Sequence, residues 1–248
     1  MKLILNGCLG RMGRAVAAMA ADRGCTIAAG VDVAVGEAGF PVYTALADCP
    51  AADVVIDFSN PAALQAELDY VTANHLPLVL CTTGLSAEQI DAVKKAAETV
   101  PVFFSSNMSL GVAVLSALTK KAAAVLGDTF DIEIVEMHHN QKVDAPSGTA
   151  LMLADAAKAG LSYEPEYTYD RHTRRQKREK KEIGIASLRG GTVVGEHSVY
   201  FAGEQEVITL SHSAGSRSVF ASGALTAAAF IVDKPAGMYS MEDILANG

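Results

Sequence analysis

The stretch KLILNGCLGRMGRAVAAMA, residues 2–20, joins an apolar run, a glycine-rich turn and a helix-forming segment. Its first five residues predict a short buried strand, and its alanine-rich end predicts a helix. The glycines between them, at positions 7, 10 and 13, follow a GxxGxxG spacing. Such glycines allow a tight turn that brings the backbone close to a pyrophosphate at the start of the helix. The stretch therefore predicts the opening of a dinucleotide-binding fold, although a purely structural turn could have the same spacing.

An acidic residue follows at the distance that this fold uses for the ribose. A second strand is predicted over residues 26–33, and it carries Asp32, nineteen residues after the last glycine of the turn. An acid there accepts hydrogen bonds from the adenosine ribose hydroxyls, and its charge repels a 2′-phosphate. Val33 follows where an arginine would be expected for NADPH, although Arg11 or Arg14 could still reach such a phosphate. We expect NADH to be preferred or both nucleotides to be accepted.

Strand and helix signals alternate through the remainder of the first half. Strands are predicted at residues 53–58, 77–81 and 102–104, and helices at 61–74, 86–99 and 110–126. This alternation is typical of a parallel sheet with right-handed crossovers, whose ligands bind at the carboxyl ends of the strands. Two polar loops follow such ends, CTTG at 81–84 and SSNM at 105–108. We expect them to contact the nicotinamide half of the cofactor, although ordinary polar turns would have the same composition.

The second half is organised around EMHHNQKVDAPSGTA, residues 136–150, which follows a strand predicted at 130–135. His138 and His139 are candidate acid/base groups, because histidine titrates near neutral pH. Lys142 adds a positive charge beside them. The alternative is that the histidines only end a strand and the lysine is solvated, but three such side chains running into a helix start favour a site.

A helix is predicted to begin near Gly148, after a loop rich in capping residues. The N-terminus of a helix presents unpaired N–H groups and a partial positive charge. Ser147, Gly148 and Thr149 could therefore hold a carboxylate or a phosphate.

Residues 171–182, RHTRRQKREKKE, form a positive segment in an acidic chain. They hold seven of the 20 basic residues against two acids. Such a run is typical of a solvated loop or helix face, and the alternative is a mobile flap that attracts an anionic substrate or cofactor. After it, strands are predicted at 183–188, 192–201 and 206–212 in the order of a meander, and an apolar helix at 216–232.

These patterns predict an α/β protein of two domains. Residues 1–109 would form a Rossmann-type dinucleotide-binding domain with a parallel sheet, completed by a C-terminal helix within residues 217–248. Residues 110–216 would form a smaller α+β domain for substrate binding and oligomerisation, with a mainly antiparallel or mixed sheet.

The composition argues against several classes of protein. With 248 residues, 50% of them hydrophobic and 19% charged, the chain is expected to be globular with a substantial core. The net charge of −8 argues against nucleic acid as a partner. The four cysteines lack the spacing of a zinc site or a disulfide framework, so no metal is expected. No signal peptide or membrane-length apolar run is recognised, and we expect a cytoplasmic protein with no membrane partner.

Over its whole length the sequence resembles the dihydrodipicolinate reductase family. The matching motifs are GCLGRMGR at 7–14, CTTG at 81–84, SSN at 105–107, HHNQKVDAPSGTA at 138–150, SLRGGTVVGEH at 187–197 and SAGSR at 213–217. The resemblance implies reduction of 4-hydroxy-tetrahydrodipicolinate, a cyclic dicarboxylate imine, to tetrahydrodipicolinate with NADH or NADPH. This reaction belongs to lysine and diaminopimelate biosynthesis. The resemblance also implies a homotetramer assembled through the sheets of the second domains.

The same resemblance implies roles for individual residues. His138 matches the catalytic proton donor or acceptor, and Lys142 matches a second proton donor that also binds substrate. The other substrate-binding positions match His139, Ser147, Gly148 and Thr149. The cofactor-binding positions match Gly7, Cys8, Leu9, Gly10, Arg11, Met12, Asp32, Cys81, Thr82, Thr83, Ser105, Ser106, Asn107 and Met108. Val33 departs from the arginine that favours NADPH in many members, and Cys81 stands where glycine is common.

Two other interpretations stay open from the residues alone. One is another two-domain amino-acid or semialdehyde dehydrogenase, which would not require the His-His-x-x-Lys and Ser-Gly-Thr features together. The other is a non-catalytic NADH-sensing regulator, and the presence of both His138 and Lys142 weighs against it.

Overall fold

The computed structural model describes residues 1–246, and the chain divides into two compact units. One unit comprises Met1–Ser109 and the chain from Arg217 onward, and the other comprises Leu110–Ser216. The predicted C-terminal segment runs to the end of the chain, and its last two positions, 247 and 248, lie outside the described residues. The functional roles predicted for the two domains stay predictions.

Strands and helices alternate along the first unit, whereas strands predominate in the second. The strands are β1 Lys2–Asn6, β2 Thr26–Val31, β3 Val42–Tyr43, β4 Val54–Asp57, β5 Leu78–Leu80, β6 Pro101–Phe104, β7 Asp131–His138, β8 Glu166–Thr168, β9 Glu182–Arg189, β10 Gly195–Ala202, β11 Val207–Ala214 and β12 Gly237–Tyr239. The α-helices are α1 Arg11–Ala20, α2 Leu64–Ala73, α3 Ala87–Ala97, α4 Leu110–Leu126, α5 Gly148–Gly160, α6 Ser218–Ile231 and α7 Met241–Ala246.

The first unit is built on a seven-stranded sheet in the order β12-β6-β5-β4-β1-β2-β3. All its strand pairs are parallel, which confirms the sheet predicted from the alternating pattern. The edge strands β3 and β12 were not predicted, because two or three residues are too few to show a pattern. The carboxyl ends of β1, β2, β4, β5 and β6 therefore lie along one edge of this sheet.

The inner strands of this sheet are nearly continuous apolar runs, as expected where helices cover both faces. Helices α2 and α3 share a core with one set of strand residues, including Ile4 and Val55. The apolar helix α6 contacts α1 and strands β4, β5 and β6. On α6, Phe230 packs edge-to-face against Phe103 of β6. The late apolar helix thus packs on the first unit, as expected from the sequence.

The second unit contains a five-stranded sheet in the order β11-β10-β7-β9-β8. The sheet is mixed, because β10 pairs antiparallel with both β11 and β7, whereas β9 pairs parallel with both β7 and β8. The predicted meander is therefore wrong: β9 and β10 follow each other in the chain, but β7 lies between them. Helices α4 and α5 pack on each other, and α5 contacts β7, β9 and β10.

The connection between β9 and β10 crosses over the end of β7. The backbone N–H of Gly190 donates to the carbonyl of His138 at 2.9 Å, and that of His139 donates to the carbonyl of Val193 at 2.7 Å. The crossing loop thus holds the last residue of β7 in place. It also explains why β7 runs three residues further than the strand predicted at 130–135, as far as His138.

The basic segment is irregular over residues 171–181, and three of its four arginines are paired with acids of the second sheet. Arg178 donates from Nε to Glu133 at 2.9 Å and from Nη1 to Asp131 at 3.0 Å. Arg171 forms ion pairs with Glu133 and Glu182. These contacts favour the structural interpretation of the segment over a free flap.

Candidate active site

Strand β7 places Glu136 and His138 on the same face of the sheet, because residues two apart on a strand point to the same side. His138 is the last residue of the strand and is buried, and Glu136 is fully buried. His139 follows the strand and is only partly buried. Its ring accepts a hydrogen bond at Nδ1 from the backbone N–H of Gln141 at 3.2 Å. Only the first of the two adjacent histidines therefore enters the interior of the second unit.

The carboxylate of Glu136 is contacted by four nitrogen atoms from three residues. The Nη1 of Arg189 donates to Oε2 at 2.8 Å, and its Nη2 donates to Oε1 at 2.8 Å. The backbone N–H of Ser147 donates to Oε1 at 3.1 Å. The Nδ1 of His138 lies 2.6 Å from Oε2. Such a bidentate, charge-assisted pair is among the strongest polar contacts in a protein, so the carboxylate is firmly held.

These contacts fix the charge of Glu136. Burial alone would raise the pKa of its carboxyl group, but hydrogen bonds from Arg189, Ser187 and His138 lower that pKa to about 2. The group is therefore an anion at neutral pH. Because an ionised carboxylate can only accept, the proton between it and the ring belongs to Nδ1 of His138.

The second ring nitrogen of His138 is then the one available for chemistry. A Cβ atom placed on Gly195 would lie 3.1 Å from Nε2, which is tighter than an ordinary contact, so glycine at this position avoids crowding the ring. Burial lowers the pKa of His138, whereas the hydrogen bond and the negative charge of Glu136 act to raise it. The imidazole is thus neutral in the free protein at pH 7 and keeps an anion beside it that would stabilise a second proton.

A further histidine, His197 of β10, packs beside His138. The two rings meet edge-to-face with their centroids 5.1 Å apart. Its Nε2 lies 2.9 Å from Oγ of Ser147. Burial lowers the pKa of His197 to about 4, so this ring is neutral and packs as a structural neighbour.

The loop after β7 brings Lys142 toward this cluster. Its Nζ forms an ion pair with Oδ1 of Asp144 at 2.8 Å, and the lysine side chain is 21% exposed. Arg189 donates from Nη2 to the backbone carbonyl of Asp144 at 2.7 Å, which ties the loop to β9. The positive charge of Lys142 is among the groups that lower the pKa of His138. The predicted pair, His138 and Lys142, is therefore brought together.

The amino end of α5 divides into an internal and an open part. Ser147 caps the helix by accepting the N–H of Ala150 at its Oγ, 3.1 Å away, and is itself buried. Its backbone N–H donates to Glu136, so Ser147 makes these hydrogen bonds within the protein interior. Gly148 is exposed, and a Cβ atom there would meet nothing within 4 Å. Of the segment predicted to bind an anion, Ser147 is therefore buried, whereas Gly148 is open; the binding role stays a prediction.

In the first unit, the glycine-rich turn is shaped by close backbone contacts. Gly7 has a φ of +74°, and a Cβ atom there would lie 2.5 Å from the carbonyl oxygen of Phe58. A Cβ atom on Gly13 would lie 2.3 Å from the carbonyl oxygen of Gly7. Only glycine fits at these two positions, so α1 begins directly against the turn.

The start of α1 suits a pyrophosphate. Gly10 precedes the helix without a side-chain cap, and its first turn has no acidic residue, whereas Arg11 and Arg14 flank it. The first N–H groups of a helix lack intrahelical partners and attract anions. The residues present therefore fit the phosphate groups of a dinucleotide.

Asp32 lies beside this turn at the end of β2. Its Oδ2 accepts the backbone N–H of Leu9 at 2.9 Å, and its Oδ1 accepts that of Val33 at 2.8 Å. Arg14 donates from Nε to the carbonyl of Leu9 at 2.9 Å. Asp32, which the sequence predicts to bind the ribose, is thus hydrogen-bonded to the glycine-rich turn.

The two polar loops lie along the same edge, after β5 and β6. Thr82 is buried and donates from Oγ1 to Oδ2 of Asp57 at 2.5 Å, while Thr83 is exposed. In the next loop, Ser105 donates from Oγ to the carbonyl of Asn107 at 2.8 Å. The structure thus brings all the sequence-predicted cofactor residues to the carboxyl edge of one sheet, where Cys8, Cys81 and Met108 are buried.

Three residues of the second unit were missed from the sequence, namely Glu136, Arg189 and His197. A signal existed for Glu136, since a carboxylate two positions before a histidine on a strand shares its face. Arg189 and His197 approach only through strand pairing. Within residues 1–246, no group of His, Cys, Asp and Glu side chains is arranged to hold a metal ion. Nor does any helix in that range have the length and apolar character to cross a membrane.

Comparison with known proteins gives matches over both units. The family model described as Dihydrodipicolinate reductase, N-terminus, matches residues 1–108, and the one described as Dihydrodipicolinate reductase, C-terminus, matches residues 111–245. The chain is 50% identical to the 4-hydroxy-tetrahydrodipicolinate reductase of Caldanaerobacter subterraneus subsp. tengcongensis, covering 100% of this chain and 99% of that protein. It is 46% identical to the protein of the same name from Clostridium novyi, covering 99% and 98%.

A solved structure has the same fold. The dipicolinate-bound dihydrodipicolinate reductase of Paenisporosarcina sp. TG-14 superposes with a TM-score of 0.79 at 24% identity, covering 98% of this chain and 99% of that one.

The ion pair at the centre of the second unit gives a stability prediction. Arg189→Met leaves the buried carboxylate of Glu136 without its cation, which costs about 3–5 kcal/mol at neutral pH. In the unchanged chain, the stability due to the lowered pKa of Glu136 is present above the unfolded value of 4.5 and is lost as the pH falls through about 2. In the variant, burial raises that pKa, so the carboxyl group takes a proton on acidification. The free energy of unfolding, measured with urea, should therefore differ more between the unchanged chain and the variant at pH 7 than at pH 4.

The matched control is Lys158→Met, which removes an exposed ion pair with Glu164 in the same unit. Exposed pairs contribute about 1 kcal/mol or less, so this change should have little effect at either pH. A loss for Arg189→Met that is equal at the two pH values would contradict the charge state assigned to Glu136.

Proposed function

The chain belongs to the dihydrodipicolinate reductase family, and we propose that it reduces 4-hydroxy-tetrahydrodipicolinate to tetrahydrodipicolinate in lysine and diaminopimelate biosynthesis. The observation that carries the proposal is identity of 46–50% over the full chain to two reductases of that name. Because the match spans both units, it includes the glycine turn and the histidine–lysine segment together.

The first unit binds a nicotinamide dinucleotide, which in its reduced form supplies a hydride when bound. We assign the pyrophosphate to the turn from Gly7 to Met12 and the open start of α1. We assign the adenosine ribose to Asp32. Its carboxylate can accept hydrogen bonds from the ribose hydroxyls in addition to those from two backbone N–H groups. The nicotinamide half falls to the two polar loops, residues 81–83 and 105–108.

The second unit binds the cyclic dicarboxylate. Lys142 supplies a full positive charge, and the start of α5 at Gly148 and Thr149 supplies the partial charge of a helix N-terminus. Ser147 contributes by fixing that helix end, since its own polar groups are used internally. His139 completes the binding side chains that the family resemblance implies.

Proton supply is the task of His138. Loss of the 4-hydroxyl group as water makes the imine conjugated. Addition of a hydride to it then leaves a nitrogen or a neighbouring carbon that must gain a proton. Nε2 is the ring nitrogen that does not contact Glu136, and it can give a proton once the ring is charged. Two carboxylates of a bound substrate would raise the pKa of His138 from its lowered value, and the resident anion Glu136 acts in the same direction. Lys142 is the second donor.

The finer choice of nucleotide follows from the ribose end. The carboxylate of Asp32 repels a 2′-phosphate, and Val33 offers no charge to bind one. Arg14 lies next to the same turn through its bond to Leu9, and Arg11 opens α1. These arginines can still reach a phosphate, so NADH is preferred or both nucleotides are used.

The assembly that we propose is a cytoplasmic homotetramer. Strand β11 forms an edge of the second sheet, and its Val207 and Ile208 are 59% and 38% exposed, which suits burial against another copy. The four cysteines are free thiols, as is usual for proteins of a reducing compartment.

The first test is the steady-state oxidation of NADH and of NADPH by the purified chain, with substrate made in the cuvette by condensing pyruvate and aspartate semialdehyde. We expect substrate-dependent oxidation, with NADH at least as good as NADPH. Tight binding of NADH without turnover of either nucleotide would reject the proposed reaction and support the sensing regulator instead.

Nucleotide choice is tested with Asp32→Asn. Loss of a charge-assisted hydrogen bond to the ribose costs about 1.5–3 kcal/mol, so kcat/KM for NADH should fall by roughly 10-fold or more. For NADPH, kcat/KM should rise, because the repulsion of its 2′-phosphate is removed. The matched control is Asp53→Asn, which also accepts a backbone N–H, that of Lys2, in the same unit. An unchanged ratio of the two nucleotides in Asp32→Asn would show that the arginines decide the preference.

The roles of the two histidines are separated by replacing each with glutamine. His138→Gln should lower kcat by about 10²-fold to 10³-fold, because a positioned general acid contributes on that order, and should leave NADH affinity unchanged. His139→Gln should act mainly on KM for the imine, as should Lys142→Ala, with Lys158→Ala as its control. A far larger loss of kcat for His139→Gln than for His138→Gln would mean that the assignment is reversed.

A further inference from the structure

The carboxylate of Glu136 connects the proposed proton donor with the proposed anion site. It faces Nδ1 of His138 at 2.6 Å and accepts the backbone N–H of Ser147, the cap of α5, at 3.1 Å. The same Ser147 contacts His197 through its side chain at 2.9 Å. One fully buried group thus contacts both the ring that donates and the helix end that binds.

We propose that Glu136 is a positioning residue that holds His138 as the Nδ1–H tautomer, directs Nε2 to the substrate, and aligns the start of α5 with it. This inference rests on the proposed function, since it assigns a role in proton transfer. It adds a residue that acts through others and touches neither substrate nor cofactor.

The arrangement is determined by geometry on several elements. Arg189 donates a hydrogen bond to each oxygen of Glu136 at 2.8 Å, and this pair holds the carboxylate in its orientation toward the ring. Since that anion only accepts, it requires a proton on Nδ1 and leaves Nε2 with its lone pair until the ring is charged. A neutral amide in its place could donate to Nδ1 and would allow the opposite tautomer.

The charged and titratable groups around His138 come from every neighbouring element. They are Glu136 on β7, Arg189 on β9, His197 on β10 with His212 beside it on β11, and Lys142 with Asp144 on the loop. Glu136 is the one that stabilises the charged ring by direct contact, whereas Arg189 and Lys142 oppose a charge on it. Removing the anion should therefore lower the pKa of His138 further.

The tautomer can be measured without substrate. ¹⁵N chemical shifts of the His138 ring in the nucleotide-free chain at neutral pH should show a protonated Nδ1 and an unprotonated Nε2. Glu136→Gln should move the population toward Nε2–H. A protonated Nε2 in the unchanged chain would overturn the proposal regardless of whether the proposed reaction is correct.

The kinetic arm uses the pH dependence of kcat/KM. The donor must carry its proton, so activity is lost as the pH rises through the pKa of His138, and Glu136→Gln should shift this limb to lower pH by about one unit. The matched control is Glu182→Gln, another buried glutamate of the same sheet held by an arginine, at the opposite end of β9 from Arg189. It should leave both the ring signals and the pH limb unchanged.

A folding defect is separated from the proposed role by the double variant Glu136→Gln with Arg189→Met, which removes both charges of the pair. It should recover the unfolding midpoint and keep the shifted tautomer. Its pH limb should stay below that of the unchanged protein, although the loss of Arg189 moves the limb part of the way back. The inference would be overturned if either variant had the tautomer and the pH limb of the unchanged protein. Glu136 would then have a structural role only. Absence of turnover in every chain, with the expected tautomers, would instead reject the proposed function.

Discussion

The ion pair between Glu136 and Arg189 is the interaction on which the second unit's site depends. A buried carboxylate is costly unless it is paired and hydrogen-bonded, and here it is both. Its partners lie on β7 itself, on the neighbouring strand β9 and at the cap of α5, so contacts to one charge join three elements. The same guanidinium also holds the loop that carries Lys142, through the carbonyl of Asp144. One arginine thus connects the buried carboxylate, strand β9 and the loop after β7.

The first unit could be predicted from the sequence because its signals are local. The strand, the glycine turn and the helix of residues 2–20 follow one another in the chain, and their chemistry is set within a few positions. Gly7 and Gly13 meet each other across a single turn, so their spacing alone reveals the close contact. Asp32 was placed by distance along the chain, and the bond to Leu9 follows from parallel pairing of adjacent strands.

The second unit was harder to predict, because its arrangement depends on pairings between distant segments. The short Gly-Gly connection from β9 to β10 has the composition of a hairpin, yet it passes over the end of β7. No local pattern distinguishes these two paths. The same limit applied to the site: His138 and Lys142 lie in one motif, whereas Arg189 lies 53 positions from Glu136, and His197 lies 50 positions from Ser147. Ser147, predicted to bind an anion, contacts Glu136 and His197 as well as the start of α5, and these contacts with distant segments have no local pattern either.

The two units treat buried acids in opposite ways, and the difference follows from their partners. Burial raises the pKa of Glu67 well above its ordinary value in the first unit, where Asn6 is a neutral donor and the nearby Asp57 adds a like charge. Burial acts on Glu136 too, but there an arginine and further donors outweigh it. The raised pKa favours the uncharged form of Glu67, which adds no negative charge near the strand ends where the nucleotide is proposed to bind. An ionised Glu136 keeps a negative charge beside the ring that we propose as the proton donor. Each unit therefore sets the protonation of its interior by which donors its strands and helices bring to the carboxyl group.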